Sequence, residues 1–222
     1  TVESGGDIYT YELKEGEEHY GGNDTIEGND GDDIILGGLG SDAISGNAGN
    51  DIILGDFGRI RRAVNQVQAT GTNGGDDLIE GNVGDDVILG GDGADTIYGG
   101  NSDLADTIDV SVDTDADVIL GDNGQVDYTL GRITKVESLD LSSGAVDKLY
   151  GNEDSDIIVG GSGGDTISGA AGENVLIGDG GLVQLTDGSI TSIESNDNDD
   201  STGGDDTITA GDEDNAFVGG AG

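Results

Sequence analysis

Aliphatic residues in this chain return every nine positions, nearly always two places after an aspartate. Residues 28–36 read GNDGDDIIL, 37–45 GGLGSDAIS and 46–54 GNAGNDIIL. The frame comes back at 81–89 (GNVGDDVIL), 90–98 (GGDGADTIY), 151–159 (GNEDSDIIV), 160–168 (GGSGGDTIS) and 169–177 (GAAGENVLI). Partial units surround Asp24, Asp77, Asp147 and Asp206, for about fifteen units in all. Self-similarity at a fixed short period is the mark of a solenoid, in which no unit buries its apolar residue alone.

The two halves of each unit predict different backbone. The glycine-rich half permits positive φ and makes a tight turn. The following half, Asp-x-aliphatic-x, is too short for a helix but suits a strand of three or four residues rich in Ile, Val and Thr. Alternation turns the aliphatic to one side and its neighbours to the other. Stacked with two turns per coil, such strands form two parallel sheets around a narrow aliphatic ladder. About seven coils would span ~35 Å at the usual strand spacing. The predicted class is all-β, a right-handed parallel β-roll with inserted β-hairpins. Residues 1–20 read as a lead-in or cap and 21–222 as the roll, with inserts at about 55–76, 121–146 and 178–205.

Stacked turns also align their sixth residues, which are Asp24, Asp33, Asp42, Asp51, Asp77, Asp86, Asp95, Asp106, Asp117, Asp147, Asp156, Asp165, Asn174 and Asp206. Neighbouring carboxylates in such a row stand only ~5 Å apart and repel. The whole chain carries 48 acidic against seven basic residues, a net charge of −41. That surface disfavours nucleic acid and anionic membranes. A divalent cation between turns removes the repulsion, and carboxylate plus carbonyl oxygen is the donor set calcium prefers. Because units alternate between two edges, Asp24 should pair with Asp42, Asp33 with Asp51, Asp77 with Asp95, Asp147 with Asp165, and Asp156 with Asn174. Asn174 and Asn215 keep an oxygen without the charge, so their sites should be weaker. The alternative is a set of solvated Asp-Gly turns with no ion.

These units resemble the RTX (repeats-in-toxin) calcium-binding nonapeptide, GGxGxDxUx, over about 130 residues. The resemblance implies a secreted or surface-attached bacterial protein, exported by a type I system, unfolded where calcium is scarce and folding outside the cell. About ten calcium ions would offset about half of the charge, so binding and folding should be linked.

Three inserts interrupt the array, each after an aliphatic, Gly and Asp: Leu54-Gly55-Asp56, Leu120-Gly121-Asp122 and Ile177-Gly178-Asp179. Residues 131–140 (GRITKVESLD) align with 188–197 (GSITSIESND), and the first insert is a looser relative with Val67 and Ala69 in the places of Val136 and Ser138. Alternating Val126, Tyr128 and Leu130, then Ile133 and Val136, predict a hairpin turned at Gly131. Val183, Leu185, Ile190 and Ile193 repeat it around Asp187-Gly188. Arg59, Arg61 and Arg62 sit in the first insert, as a local offset to the aspartate rows or a bridge to an acidic neighbour.

Outward strand positions differ between alternate units. Thr25/Glu27, Ala43/Ser45, Thr96/Tyr98, Thr166/Ser168 and Thr207/Thr209 are mostly polar, whereas Ile34/Leu36, Ile52/Leu54, Val87/Leu89, Ile157/Val159 and Val175/Ile177 are aliphatic. One sheet face should therefore be apolar, and larger than soluble monomers usually expose. Either the hairpins fold back over it, the favoured arrangement, or another chain covers it in a homo-oligomer or filament. Register breaks after Asp95, where Asp106 and Asp117 follow at eleven-residue steps and Ile108, Val110 and Val112 suggest a longer strand. Residues 219–222, GGAG, open a further unit without its aspartate, so continuation of the chain or a neighbouring subunit is expected there. Residues 7–27 resemble the Tyr-containing lead-in found before RTX arrays.

Catalytic templates fail on inventory. No cysteine is present, His19 is the one imidazole, and no phosphate-binding Gly-Lys-Ser/Thr occurs. No apolar run approaches the ~18 residues of a membrane span. The expected function is non-enzymatic, a calcium-rigidified structural segment of a surface layer, filament or adhesin. Two alternatives remain open, a calcium-dependent secretion and folding module of an exported toxin or exoenzyme, and a Thr-bearing face that binds ice or glycan.

Overall fold

The computed structural model describes residues 10–12, 21–72, 74–100, 115–139, 141–142, 144–197 and 202–220. Over the described residues the fold is a parallel β-roll flanked by a third sheet, with seven strands in each of the three sheets.

The first roll sheet stacks Thr25–Asp30, Ala43–Ala48, Leu78–Val83, Thr96–Tyr98, Lys148–Tyr150, Thr166–Ser168 and Thr207–Thr209 in parallel. The second stacks Ile34–Leu36, Ile52–Leu54, Val87–Leu89, Val118–Leu120, Ile157–Val159, Val175–Ile177 and Ala216–Val218. Seven strands in each make the expected seven coils. Register is set by the repeat, so Ile44 aligns with Ile79, Ile79 with Ile97, and Ile53 with Ile88. Between the sheets these aliphatics form a continuous ladder that includes Ile44, Ile53, Ile79, Ile88, Ile119 and Leu149, all buried. Few apolar residues suffice because each contacts the one above and below it.

The third sheet is antiparallel and is built from the inserts. Hairpin strands Gly58–Arg61 and Gln66–Ala69, Gly124–Thr129 and Arg132–Ser138, and Gly181–Thr186 and Ser189–Ser195 lie side by side. Strand Thr10–Glu12 adds to the edge by pairing with Gly58–Arg61. Ile60, Val67, Val126, Val136 and Val183 from this sheet bury against Leu54, Leu89, Leu120, Val159 and Ile177 of the second roll sheet. The chain thus covers most of its aliphatic face with its own hairpins. The sheets approach closely here, since a Cβ on Gly124 would fall on Leu120.

The second and third hairpins turn through Leu130-Gly131 (φ 53° and 78°) and Asp187-Gly188 (φ 53° and 82°). Both central residues are left-handed, the arrangement that matches strand twist in a two-residue hairpin. The hairpin turns at Gly131 as expected, and Leu130, which shares the turn, is 94% exposed. The first hairpin closes through a short 3-10 turn, Arg62–Val64, ending on left-handed Asn65. The other roll face is largely polar, and there the rings of Tyr98 and Tyr150 stack with centroids 4.8 Å apart. Asp106, the strand expected over 108–112 and most of the 1–20 lead-in lie outside the described residues. Among the described residues no helix is long and apolar enough to cross a membrane.

Candidate metal centres

The nine-residue period brings the sixth residues into two rows, one along each edge of the roll. In the first row the backbone N–H of Asp24 donates to Asp42 Oδ1, and the link repeats from Asp42 to Asp77, Asp77 to Asp95, Asp95 to Asp147, Asp147 to Asp165, and Asp165 to Asp206, at 2.7–2.9 Å. The second row runs Asp33, Asp51, Asp86, Asp117, Asp156, Asn174 and Asn215 by the same bond, at 2.7–3.0 Å. All five residue pairs expected from the spacing are neighbours in these rows. Both rows close without Asp106, because Asp117 follows Asp86 and Asp147 follows Asp95.

Each carboxylate after the first in its row gives one oxygen to this ladder. The other oxygen turns back over the first residue of its own unit, where a Cβ at Gly90 would land on Asp95 Oδ2 and one at Gly121 on Asp147 Oδ2. That close approach explains why the first position is glycine. The Oδ2 atoms of Asp33, Asp42, Asp51, Asp77, Asp95, Asp147 and Asp165 are buried and have no hydrogen-bond partner. An unsatisfied buried carboxylate oxygen is costly, so these atoms require a proton or a cation.

Burial raises the affected groups accordingly. Asp77 and Asp165 are pushed to about 7, Asp147 to about 9 and Asp95 to about 10. Desolvation is the leading cause for each, and neighbouring carboxylates add to it. Asp95, for example, also feels Asp147, Asp77 and Asp56.

Asn174 shows what the turns would offer a cation. Its Oδ1 accepts the Asp156 N–H like any member of the row. Its Nδ2 donates to the carbonyls of Gly169, Ala171 and Gly172, at 3.0–3.1 Å. Three carbonyls from positions one, three and four of a unit therefore converge on the sixth side chain. Asn215 does the same toward Gly211 and Glu213. An ionised aspartate cannot donate, so in an aspartate turn a proton or a cation takes the place of that amide. Carbonyl oxygens plus a carboxylate make a hard donor set suited to calcium. Among the described residues no three acidic or histidine side chains cluster as a metal site, so backbone carbonyls would have to supply the remaining ligands.

Three further buried aspartates were legible in the sequence only as insert markers. Asp56, Asp122 and Asp179 stand where the chain leaves the roll, and each is 3% exposed or less. Asp56 Oδ1 accepts the N–H of Gly75, on the returning segment, at 3.2 Å. Its Oδ2 accepts the N–H of Asp92, on the next coil, at 2.7 Å. Asp122 accepts from Ser162 at 2.5 Å, and Asp179 from Gly204 at 3.2 Å. The available signal was the return sequence, Gly74-Gly75-Asp76-Asp77, Gly144-Ala145-Val146-Asp147 and Gly203-Gly204-Asp205-Asp206. Joined to the exit Gly-Asp, each spells one nonapeptide turn split between its second and third positions.

A family model described as the RTX calcium-binding nonapeptide repeat matches the chain in four copies, at residues 20–44, 27–59, 71–103 and 150–182. No curated protein and no solved structure matches the chain.

Proposed function

We propose, on the premise that this chain belongs to the RTX calcium-binding nonapeptide repeat family, that its roll folds on meeting extracellular calcium and serves as a rigid segment of a secreted or cell-surface bacterial protein. The observation that carries this reading is the buried Oδ2 atoms of Asp42, Asp77, Asp95, Asp147 and Asp165 in the first row, and of Asp33 and Asp51 in the second, which face no donor. In the first row Asp24, Asp42, Asp77, Asp95, Asp147, Asp165 and Asp206 would be the carboxylate ligands, and in the second Asp33, Asp51, Asp86, Asp117 and Asp156. Asn174 and Asn215 would fill their own turns with an amide. Bound calcium supplies charge neutralisation and cross-links one coil to the next.

A chain with net charge −41 has strong self-repulsion in its compact state. Calcium binds the folded rows and not isolated turns, so its binding energy becomes folding energy. The three hairpins add a lateral sheet that stiffens the roll, which favours a structural part over a simple export signal. Circular dichroism in chelator, then in rising calcium, tests the reading. A disordered spectrum should give way to β signal with a midpoint near 10⁻⁴–10⁻³ M, the range of extracellular modules. A full β signal in chelator at neutral pH, unchanged by calcium, would overturn it.

A further inference from the structure

The polar face of the roll carries a stacked pair of phenols. Tyr98 and Tyr150 are Cα partners in neighbouring parallel strands, Thr96–Tyr98 and Lys148–Tyr150. Their rings lie with centroids 4.8 Å apart and planes 11° from parallel, the one ring-to-ring contact among the described residues. That separation is the spacing of adjacent strands, so the register of the roll itself holds the rings face to face. Near-parallel rings on in-register strands bring the ortho carbons, Cε of each phenol, next to one another. Both side chains are half-buried, and the hairpins pack on the opposite sheet, which leaves this pair within reach of a small oxidant. Ser168 follows Tyr150 in the same column, and so small a neighbour gives the Tyr150 ring room to tilt.

Composition removes the usual competitors. The chain contains no Cys, Met or Trp. Cys and Met are side chains that oxidants ordinarily consume first, so here the phenols are left as the readily oxidised groups. Without cysteine the coils also have no disulfide to tie them.

We propose that Tyr98 and Tyr150 are a cross-linking site, joined as dityrosine by hydrogen peroxide acting through a haem peroxidase. Each phenol gives up one electron and its O–H proton, and the two tyrosyl radicals couple Cε to Cε. Each coupled carbon then passes its hydrogen to its own phenol oxygen, which restores both aromatic rings. The two electrons and two protons reduce one peroxide to two waters. The new bond bridges consecutive coils across the register break and the second insert. It closes a large loop of the unfolded chain, and so stabilises the roll in the way a disulfide would. Coupling needs the coils already stacked, so it follows folding and makes a calcium-dependent segment permanent. That last step rests on the calcium reading above, whereas the pairing itself rests on the register.

Treating the calcium-loaded full chain with hydrogen peroxide and a haem peroxidase, at low protein concentration, tests the site. Dityrosine fluorescence should appear in the monomer, with a mass loss of two hydrogens and a proteolytic peptide pair joined through Tyr98 and Tyr150. Tyr98→Phe and Tyr150→Phe keep a stacked ring but should each abolish that link, while Tyr128→Phe should leave it. The cross-linked chain, titrated with calcium, should reach half its β signal at several-fold lower calcium than the untreated chain. No Tyr98–Tyr150 link in calcium, links formed only between chains, or an undiminished yield in Tyr150→Phe would overturn the proposal. The same reaction in chelator separates the two readings. An equal yield there, with a full β spectrum, would contradict calcium-driven folding while still supporting the pairing.

Discussion

The backbone N–H of Asp77 donates to Asp95 Oδ1 at 2.8 Å, and the N–H of Asp95 donates in turn to Asp147 Oδ1 at the same distance. One oxygen of each aspartate therefore belongs to the protein's own ladder and the other is left for an ion. Asp95→Ala removes both functions at a fully buried position and strands the Asp77 N–H. Loss of a charged hydrogen bond of this kind costs about 1.5–3 kcal/mol. The calcium midpoint for folding should rise about tenfold or more, read by circular dichroism. Asp24→Ala, at the exposed end of the row, should shift it less.

Asn174→Asp should convert a self-satisfied turn into a calcium-dependent one. The amide that now donates to Gly169, Ala171 and Gly172 would be lost, leaving three carbonyls and a second carboxylate oxygen. Native mass spectrometry should count one more bound calcium than in the wild type, and stability in chelator should fall. An unchanged count would mean that these carbonyls do not form a cation site.

The pH dependence without calcium has a definite sign. Aspartate in an unfolded chain titrates near ~4. In the fold Asp77 and Asp165 rise to about 7, Asp147 to about 9 and Asp95 to about 10. The folded chain then binds more protons than the unfolded one, so stability falls as pH climbs from ~4 through these values. In chelator the β signal should be greater at pH 4 than at pH 8. Excess calcium should reverse the slope, because ligand carboxylates must be deprotonated to bind the ion. Equal signals in chelator at the two pH values would contradict this account of the buried rows.

The hairpin sheet should contribute stability separately from the metal. Leu120 is buried between the second roll sheet and the hairpins. Leu120→Ala should cost about 2–5 kcal/mol in urea unfolding at saturating calcium. Leu130→Asn should stabilise slightly, by about 0.5–1 kcal/mol, because Asn tolerates the left-handed conformation that Leu130 adopts at φ 53°. A loss of stability for Leu130→Asn would mean that the exposed leucine makes a contact worth more than its backbone strain.

How much of this was legible in the sequence depended on whether a feature repeats. The roll, its coil number and the neighbours of Asp42 or Asp165 follow from a period that fixes register at every coil. Both roll faces were legible too, because Leu36 and Leu54 sit where Glu27 and Ser45 sit on the other sheet. The hairpin turn at Gly131 was legible as well, but alternation alone does not say that Leu130 is itself one of the two left-handed turn residues. Asp56 escaped notice because its partners, Gly75 and Asp92, are separated from it by an insert and by a whole coil. The self-satisfied state of Asn174 depends on which way an amide faces, a matter that spacing does not reach.

The most direct test is a crystal structure of the chain grown in calcium, with anomalous scattering to identify the ions. Peaks should lie along both edges, each beside an aspartate Oδ2 such as that of Asp95 and absent from the turn filled by the Asn174 amide. Solvent alone beside Asp42, Asp77, Asp95 and Asp147 would contradict the account.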